Sequence, residues 1–294
     1  MDILTVLPDQ SEILHYDDPS FPLYLRRSSL SLYPSKRVLC HWHQEFEFFL
    51  VEKGNPSYFV NGTNVVLKEG EGIFINAKCP HYGYSENGED STYLCLVFSP
   101  SLLSASKEIA DNYISPLREN TKLPFLIFPA DKCARLKEDL DVMLKQIQEK
   151  KDGYQLKLLS GLYDFWAAFL SLQGQEKETK LDSSDKALLV KRMLSFIYNH
   201  YQEKIDVDSI AKAASISPGY ASHLFTKMLH ASPISYLLSF RIQKSGELLS
   251  DFTKDISEIS SAVGFESPSY FSETFKKEKG CSPKEYRQLL KKDL

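Results

Sequence analysis

The feature that most constrains this 294-residue chain is an internal repeat in its last third. Ser217-Pro218-x-Tyr220 recurs as Ser267-Pro268-x-Tyr270. The same offset of 50 pairs Phe225 with Phe275, Lys227 with Lys277, Ser232-Pro233 with Ser282-Pro283, and Tyr236 with Tyr286. Self-similarity at a fixed offset means one supersecondary unit built twice. Each Ser-Pro pair reads as a helix start. The serine oxygen caps a free N–H, worth ~1 kcal/mol, and proline is pre-set for the first helical position. In Ser282-Pro283-Lys284-Glu285 the glutamate completes a capping box. Short helices over 207–214 and 256–263 precede the first cap of each copy, across turns at Ser215-Ile216 and Gly264-Phe265-Glu266. A short helix, a tight turn and a second capped helix make a helix-turn-helix. Gly264 suits its turn because it accepts positive φ without steric cost. The joining helix, roughly 233–249, carries Leu237, Leu238, Phe240, Ile242, Leu248 and Leu249, and is expected to hold the two copies at a fixed separation. A plain helical bundle would not require capped helices repeated at one offset.

The stretch 206–287 resembles the DNA-binding domain of the AraC/XylS family of bacterial transcription regulators. The resemblance is densest over Ile259–Arg287, at Gly264, Phe265, Ser269, Tyr270, Phe271, Phe275, Lys276, Gly280, Pro283, Tyr286 and Arg287. The first copy departs more. Ser215 stands where the family turns on glycine, Ala221 where it packs a leucine, His230 where glycine ends the recognition helix, and Ser245 where alanine is usual. The first copy is therefore expected to be less tightly packed or less well terminated. It keeps core residues at Ile210, Ala211, Ile216, Leu224 and Phe225. The resemblance implies a regulator that binds double-stranded operator DNA, acts as a homodimer and works with RNA polymerase, more often as an activator than a repressor. Each recognition helix would enter one of two successive major grooves.

By position, the first recognition helix would present Gly219, Tyr220, Ser222 and His223, and the second Pro268, Ser269, Ser272 and Glu273. Arg and Gln dominate direct readout of guanine and adenine, and neither stands at these positions. His223 suits a guanine edge, and Tyr220 a thymine methyl or a phosphate. Glu273 either accepts from cytosine or is a solvated residue. Ser217, Ser222, Ser267, Ser269, Ser272 and the helix N-termini suit phosphate oxygens. Lys227, Lys276 and Lys277 add positive charge, or form a solvated face. Residues 181–294 hold 16 basic and 14 acidic residues, a net of +2, against 19 and 25, a net of −6, over 1–180. So weak a positive charge gives only modest non-specific affinity. Dimerisation and DNA shape are expected to supply part of the specificity.

Upstream, residues 24–98 read as short strands rich in β-branched and aromatic residues, punctuated by Asn61-Gly62, Gly70, Gly72 and Asn87-Gly88. That pattern predicts a sandwich or small barrel. Helical stripes follow over 131–150 and 154–172. The broad apolar face of the second has two readings: it covers the sheet, or it also forms a dimer interface. The polar run after residue 172 reads as a linker. The expected organisation is an all-β cupin-like barrel with a helical dimerisation segment over 1–172, a linker over 173–183, and an all-α domain of two helix-turn-helix motifs over 184–294. No apolar run approaches the ~18 residues of a membrane span, and the acidic start lacks a signal peptide's basic region, so a cytoplasmic protein without membrane contact is expected. Five scattered cysteines without a CxxC argue against a disulfide scaffold or zinc finger.

One further constellation carries chemistry. His41-x-His43-x3-Glu47, then Gly54, matches the first cupin motif, and His81 falls where the second places its histidine. The second motif is otherwise degraded, with Asn76 and Lys78 at its proline and glycine positions. Three readings stand: a small-ligand pocket, a metal-assisted sensor, and residues kept for packing and hydrogen bonding. Trp42, Tyr58, Phe74, Tyr82 and Tyr84 are candidates for stacking on a sugar or similar metabolite, or are core residues. The leading expectation is a small-molecule effector bound at His41, His43, Glu47, His81, Trp42, Tyr58, Tyr82 and Tyr84, with no metal, no cofactor and no catalytic activity. A metal-dependent cupin enzyme fused to a DNA-binding tail is the alternative. A constitutive architectural binder is a third class.

Overall fold

The computed structural model describes residues 4–7, 9–120, 122–174 and 185–292. They divide into two compact units. One comprises the described parts of 11–30 and 40–181, and the other those of 1–10, 31–39 and 182–294. Residues 31–39 thus group with the helices, although strand-forming sequence flanks them on both sides. Most of the expected linker, from 175 onward, lies outside the described residues.

In the first unit the strands of four or more residues are β1 (Leu23–Ser29), β2 (Phe46–Lys53), β3 (Ser57–Val60), β4 (Thr63–Val66), β5 (Gly72–Ile75), β6 (His81–Tyr84), β7 (Thr92–Phe98) and β8 (Phe125–Phe128). They form a five-stranded sheet, β8-β5-β2-β7-β1, and a three-stranded sheet, β4-β3-β6, with antiparallel pairing throughout. Side chains alternate along β2 with the period of two that a strand imposes. Phe46, Phe48 and Leu50 join the core beneath two helices, α1 (Ala130–Glu149) and α2 (Tyr154–Ser171). Phe46 stacks on Trp166 at 5.3 Å, and Phe48 meets Phe165 edge-on at 5.2 Å. On the other face of β2, Phe49 stacks on Tyr93 at 4.2 Å and Glu47 turns inward beside Tyr58. Much of the broad apolar face of α2 therefore covers the sheet. Burying Leu158, Leu162, Phe165, Trp166 and Phe169 contributes roughly 10 kcal/mol of gross transfer free energy. Val142 and Leu156 remain exposed on these helices.

The second unit contains α3 (Asp185–His200), α4 (Val207–Ala213), α5 (Pro218–Leu229), α6 (Pro233–Leu249), α7 (Ile256–Ala262), α8 (Pro268–Lys279) and α9 (Pro283–Lys292). Both copies of the repeat are helix-turn-helix units, α4–α5 and α7–α8. Ser217, Ser232 and Ser267 cap their helices as the Ser-Pro pairs predict, and Ser282 and Glu285 form the expected reciprocal bonds. The first helix of each copy starts at an aspartate, Asp206 or Asp255, in a capping box of its own.

The two turns bend alike. Ser215 takes φ +57° and Gly264 +86°, while His230 and Gly280, ending α5 and α8, take +50° and +75°. Serine and histidine thus adopt the left-handed conformation that glycine adopts without cost. The first copy is nevertheless properly terminated. The His230 N–H donates to Thr226 O at 2.9 Å, and the Arg37 guanidinium donates to the carbonyls of Leu229 and His230. These carbonyls are among the acceptors a helix end leaves unpaired. Strain remains at Ser215, which is exposed. Ser215→Gly should stabilise the unit by about 0.5 kcal/mol, the left-handed penalty less glycine's added chain entropy. Urea unfolding of the two proteins would read it as a higher midpoint at unchanged slope.

Helix α6 is the spine of the unit. Its Tyr236 meets Phe225 of the first copy edge-on at 5.5 Å. Its Ile242 and Leu249 belong to the second copy's core with Ile259, Val263, Phe271 and Phe275. Arg241 is buried, and its guanidinium donates to the carbonyls of Tyr201 at 2.6 Å and Glu203 at 2.7 Å. The Ser245 hydroxyl, where alanine was expected, is satisfied by Ile242 O at 2.7 Å.

Candidate DNA interface and inward-facing histidine cluster

The two recognition helices divide their faces by helical period. On α5, Ala221, Leu224, Phe225, Met228 and Leu229 are buried. Gly219, Tyr220, His223 and Lys227 are exposed and Ser222 is half-buried. On α8, Phe271 and Phe275 are buried. Pro268, Ser269, Glu273, Lys276 and Lys277 are exposed, and Ser272 is half-buried. Every residue expected to face DNA is therefore open to solvent on its helix. Ser217 and Ser267 are partly committed elsewhere, since each Oγ accepts the N–H of Tyr220 or Tyr270 at 3.3 and 3.4 Å. Their hydroxyl protons still have a donor role to offer. Residue-by-residue reading passed over three exposed side chains of these helices, Pro218 and Thr226 on α5 and Tyr270 on α8. The repeat itself was the signal for Tyr270, whose counterpart is Tyr220. They are 49% and 41% exposed, enough to place two aromatic faces at equivalent positions.

The fold gathers His41, His43, Glu47 and His81 from three stretches of chain. Backbone bonds between His41 and His81, at 3.1 and 2.8 Å, tie the segment before β2 to the start of β6. Glu47 lies on the inward face of β2. One ligating atom from each of the four residues falls within 4.8 Å of all the others, and all four residues are buried. Glu47 Oε2 is 3.2 Å from His43 Nε2 and 2.9 Å from His81 Nε2, and Oε1 accepts the Tyr58 hydroxyl at 2.7 Å. Burial opposes ionisation of Glu47, but His81 and His43 outweigh it and hold the carboxyl well below the usual range. Burial likewise opposes protonation of His81, yet Glu47 and the Cys79 carbonyl raise its pKa.

A second carboxylate, missed in the sequence, borders the cluster. Glu12 Oε2 lies 3.4 Å from His41 Nε2. Burial, with the charges of Glu47 and Glu45, raises its pKa well above the usual value. Glu12 precedes His41 by too many residues for any spacing rule to join them.

The aromatic candidates separate. Tyr58 belongs to the cluster. Tyr82 and Tyr84 lie on the opposite face of β6 from His81, where Tyr82 stacks on Phe59 at 5.2 Å and Tyr84 donates to Asn64. Phe74 faces the helices with Phe169. Trp42 is half-buried, and its carbonyl accepts the Glu12 N–H at 2.9 Å.

Known proteins resemble the chain along both units. Residues 33–165 match the AraC-like ligand binding domain, and residues 210–289 match a helix-turn-helix domain. The chain is 31% identical over 281 residues to the HTH-type transcriptional regulator YdeC of Bacillus subtilis, covering 95% of this chain and 96% of that protein. It is 25% identical over 292 residues to the melibiose operon regulatory protein of Escherichia coli strain K12, covering 90% and 92%. A 147-residue stretch is 34% identical to the lactose operon transcription activator of Staphylococcus xylosus, covering 49% and 51%.

Proposed function

Because the chain belongs to the AraC family of transcription regulators, we propose that it is a cytoplasmic, non-enzymatic activator that reads operator DNA through α5 and α8 and answers to a sugar or related metabolite. A DNA-binding helix-turn-helix domain and a ligand-binding domain are the family's parts. The observation that carries the finer reading is the matched exposure of both recognition helices, each starting at a serine cap and each presenting a tyrosine in its first turn. Gly219, Tyr220, Ser222 and His223 of α5, and Pro268, Ser269, Ser272 and Glu273 of α8, are the proposed base-facing set. Ser217, Ser267, Lys227, Lys276 and Lys277 are proposed to contact phosphates. The names of the melibiose and lactose regulators support a sugar as effector class. The polar lining around His41, His43, Glu47, His81, Tyr58 and Trp42 would supply its hydrogen bonds. Exposed Val142 and Leu156 on the helices over the sheet support a homodimer. RNA polymerase is the proposed downstream partner.

Selection of genomic fragments bound by the full chain would identify the operator, and fluorescence anisotropy on it tests the assignment. His223→Ala and Tyr220→Ala should each weaken operator binding roughly tenfold, as loss of one base contact does. Lys276→Gln should weaken all sequences alike and lower the salt slope by about one. Unchanged operator affinity in both α5 variants would remove that helix from readout. A metabolite library that changes neither affinity nor oligomeric state would remove the ligand-responsive reading.

A further inference from the structure

We propose that Arg241 is a positioning residue for DNA reading: it holds the two helix-turn-helix copies at one separation, so that the protein selects operators by the spacing of their half-sites. The inference rests on the reading that α5 and α8 both face DNA, and goes beyond it by naming what sets their distance.

Arg241 stands on α6 where the two copies join. Before it on the helix, Tyr236 packs on Phe225 of the first copy. After it, Ile242 and Leu249 enter the core of the second. The guanidinium is buried. Its Nε donates to Tyr201 O at 2.6 Å and its Nη2 to Glu203 O at 2.7 Å. Both acceptors lie on the chain between α3 and α4, which runs directly into the Asp206 cap of the first copy.

The same stretch of chain touches the second copy. A Cβ on Gly264 would lie 2.6 Å from Tyr201 O and 2.8 Å from Gln202 O, so the second turn is seated on this backbone. Arg241 Cζ lies 5.8 Å from the centre of the Phe265 ring in that turn, and Tyr201 packs against the second copy's core. Lys204 and Glu266 pair across the same join at 3.0 Å, but both are exposed and such a pair contributes little.

The clamp differs in kind from the packing around it. Apolar burial is non-directional. A guanidinium is a planar fork whose donors keep fixed angles, and a backbone carbonyl cannot swing aside as a flexible side chain does. Arg241 therefore fixes where the entry to α4 lies against α6 and the second turn, and through them where α5 lies relative to α8. Two helices that enter successive major grooves must match a repeat of ~34 Å, about ten base pairs. Each inserted base pair moves one half-site by about 3.4 Å and turns it by roughly 35°. A rigid pair of helices cannot follow that change, whereas a pair joined through α6 alone can bend toward it.

The test uses the full chain and a genomic fragment selected by it, with the half-sites located by footprinting and one or two base pairs inserted or deleted between them. Fluorescence anisotropy reads each duplex. Wild type is expected to lose roughly tenfold or more in affinity at every altered spacing, as it forfeits base contacts in one half-site. Arg241→Gln should bind the unaltered duplex more weakly, yet lose less than about threefold when the spacing changes, as a hinged pair of readers would. Arg241→Lys, which keeps the charge without the fork, should fall between the two. Lys276→Gln is the contrast: it should weaken every duplex alike and keep the full spacing penalty. A wild-type spacing penalty in Arg241→Gln overturns the proposal, because a residue that only stabilises the unit lowers affinity without changing the preferred spacing. Should Arg241→Gln not fold by circular dichroism, Arg241→Lys decides, and a penalty equal to that of wild type overturns the proposal. A wild-type chain indifferent to spacing also overturns it. Tyr220→Ala and His223→Ala keep the two failures apart. If they weaken binding while Arg241→Gln still discriminates spacing, DNA reading by α5 stands and the clamp falls. If they bind like wild type, α5 is not a reader and both fall.

Discussion

Gly264→Ala is expected to lower the thermal midpoint of the helical unit by roughly 10–20 °C and to abolish operator binding near that temperature. Two costs add. Gly264 holds φ +86°, where an alanine costs ~1–2 kcal/mol. A Cβ there would also sit 2.6 Å from the carbonyl oxygen of Tyr201 and 2.8 Å from that of Gln202. Both obstacles are backbone, so neither can swing aside as a flexible side chain would. The Tyr201 carbonyl is further held by Arg241. Overpacking of this kind costs ~1–3 kcal/mol, and about 3 kcal/mol in total converts to that shift for a domain near 100 residues. Differential scanning calorimetry checks it. A midpoint within 3 °C of wild type would show that the turn and the 201–202 segment separate without cost. Ser215→Ala at the corresponding turn is the control. It exchanges one non-glycine residue for another at an exposed position and should have little effect.

Glu47→Ala is expected to destabilise the β-rich unit by roughly 3–5 kcal/mol, the range for removing one partner from a buried charged network. The loss is not that of a single contact. His43, His81 and the Tyr58 hydroxyl all direct hydrogen bonds at this carboxylate, and each would be stranded away from water. Glu47→Gln should cost less, since it keeps the shape and one acceptor oxygen. Urea unfolding followed by tryptophan fluorescence reads the unit, because Trp166 lies in its core. A loss below 1 kcal/mol would mean that water enters and replaces the carboxylate. The core of the helical unit contains none of these residues, so operator binding at low temperature should survive.

Legibility in the sequence followed the range of the forces involved. The helix-turn-helix pair was readable because its determinants are local: Ser-Pro starts, a capping box, a turn glycine and the 3.6-residue apolar period. The same locality made His41, His43 and Glu47 visible as one run. The Asp206 and Asp255 caps are also local, but the repeat drew attention to the later Ser-Pro starts. The aromatic candidates for the pocket fared less evenly. Tyr58, Tyr82 and Tyr84 were equivalent by residue type, yet strand pleating turned Tyr58 toward Glu47 and the other two away. That distinction required the register of β3 against β6.

The repeat in the last third was determined by the sequence alone, down to its Ser-Pro caps and to the two positions, Ser215 and His230, where the first copy departs from glycine. Only the tertiary structure decided that those departures still take left-handed backbone, with Arg37, from far earlier in the chain, bonding the carbonyls at the end of α5. It alone placed Glu12 beside His41 and laid much of the face of α2 on the sheet. A cap or a turn is stabilised by atoms a few residues apart, so its signature is written locally. A buried carboxylate or a capped helix end is satisfied by whichever group the fold carries to it, and that partner leaves no mark in the neighbouring sequence.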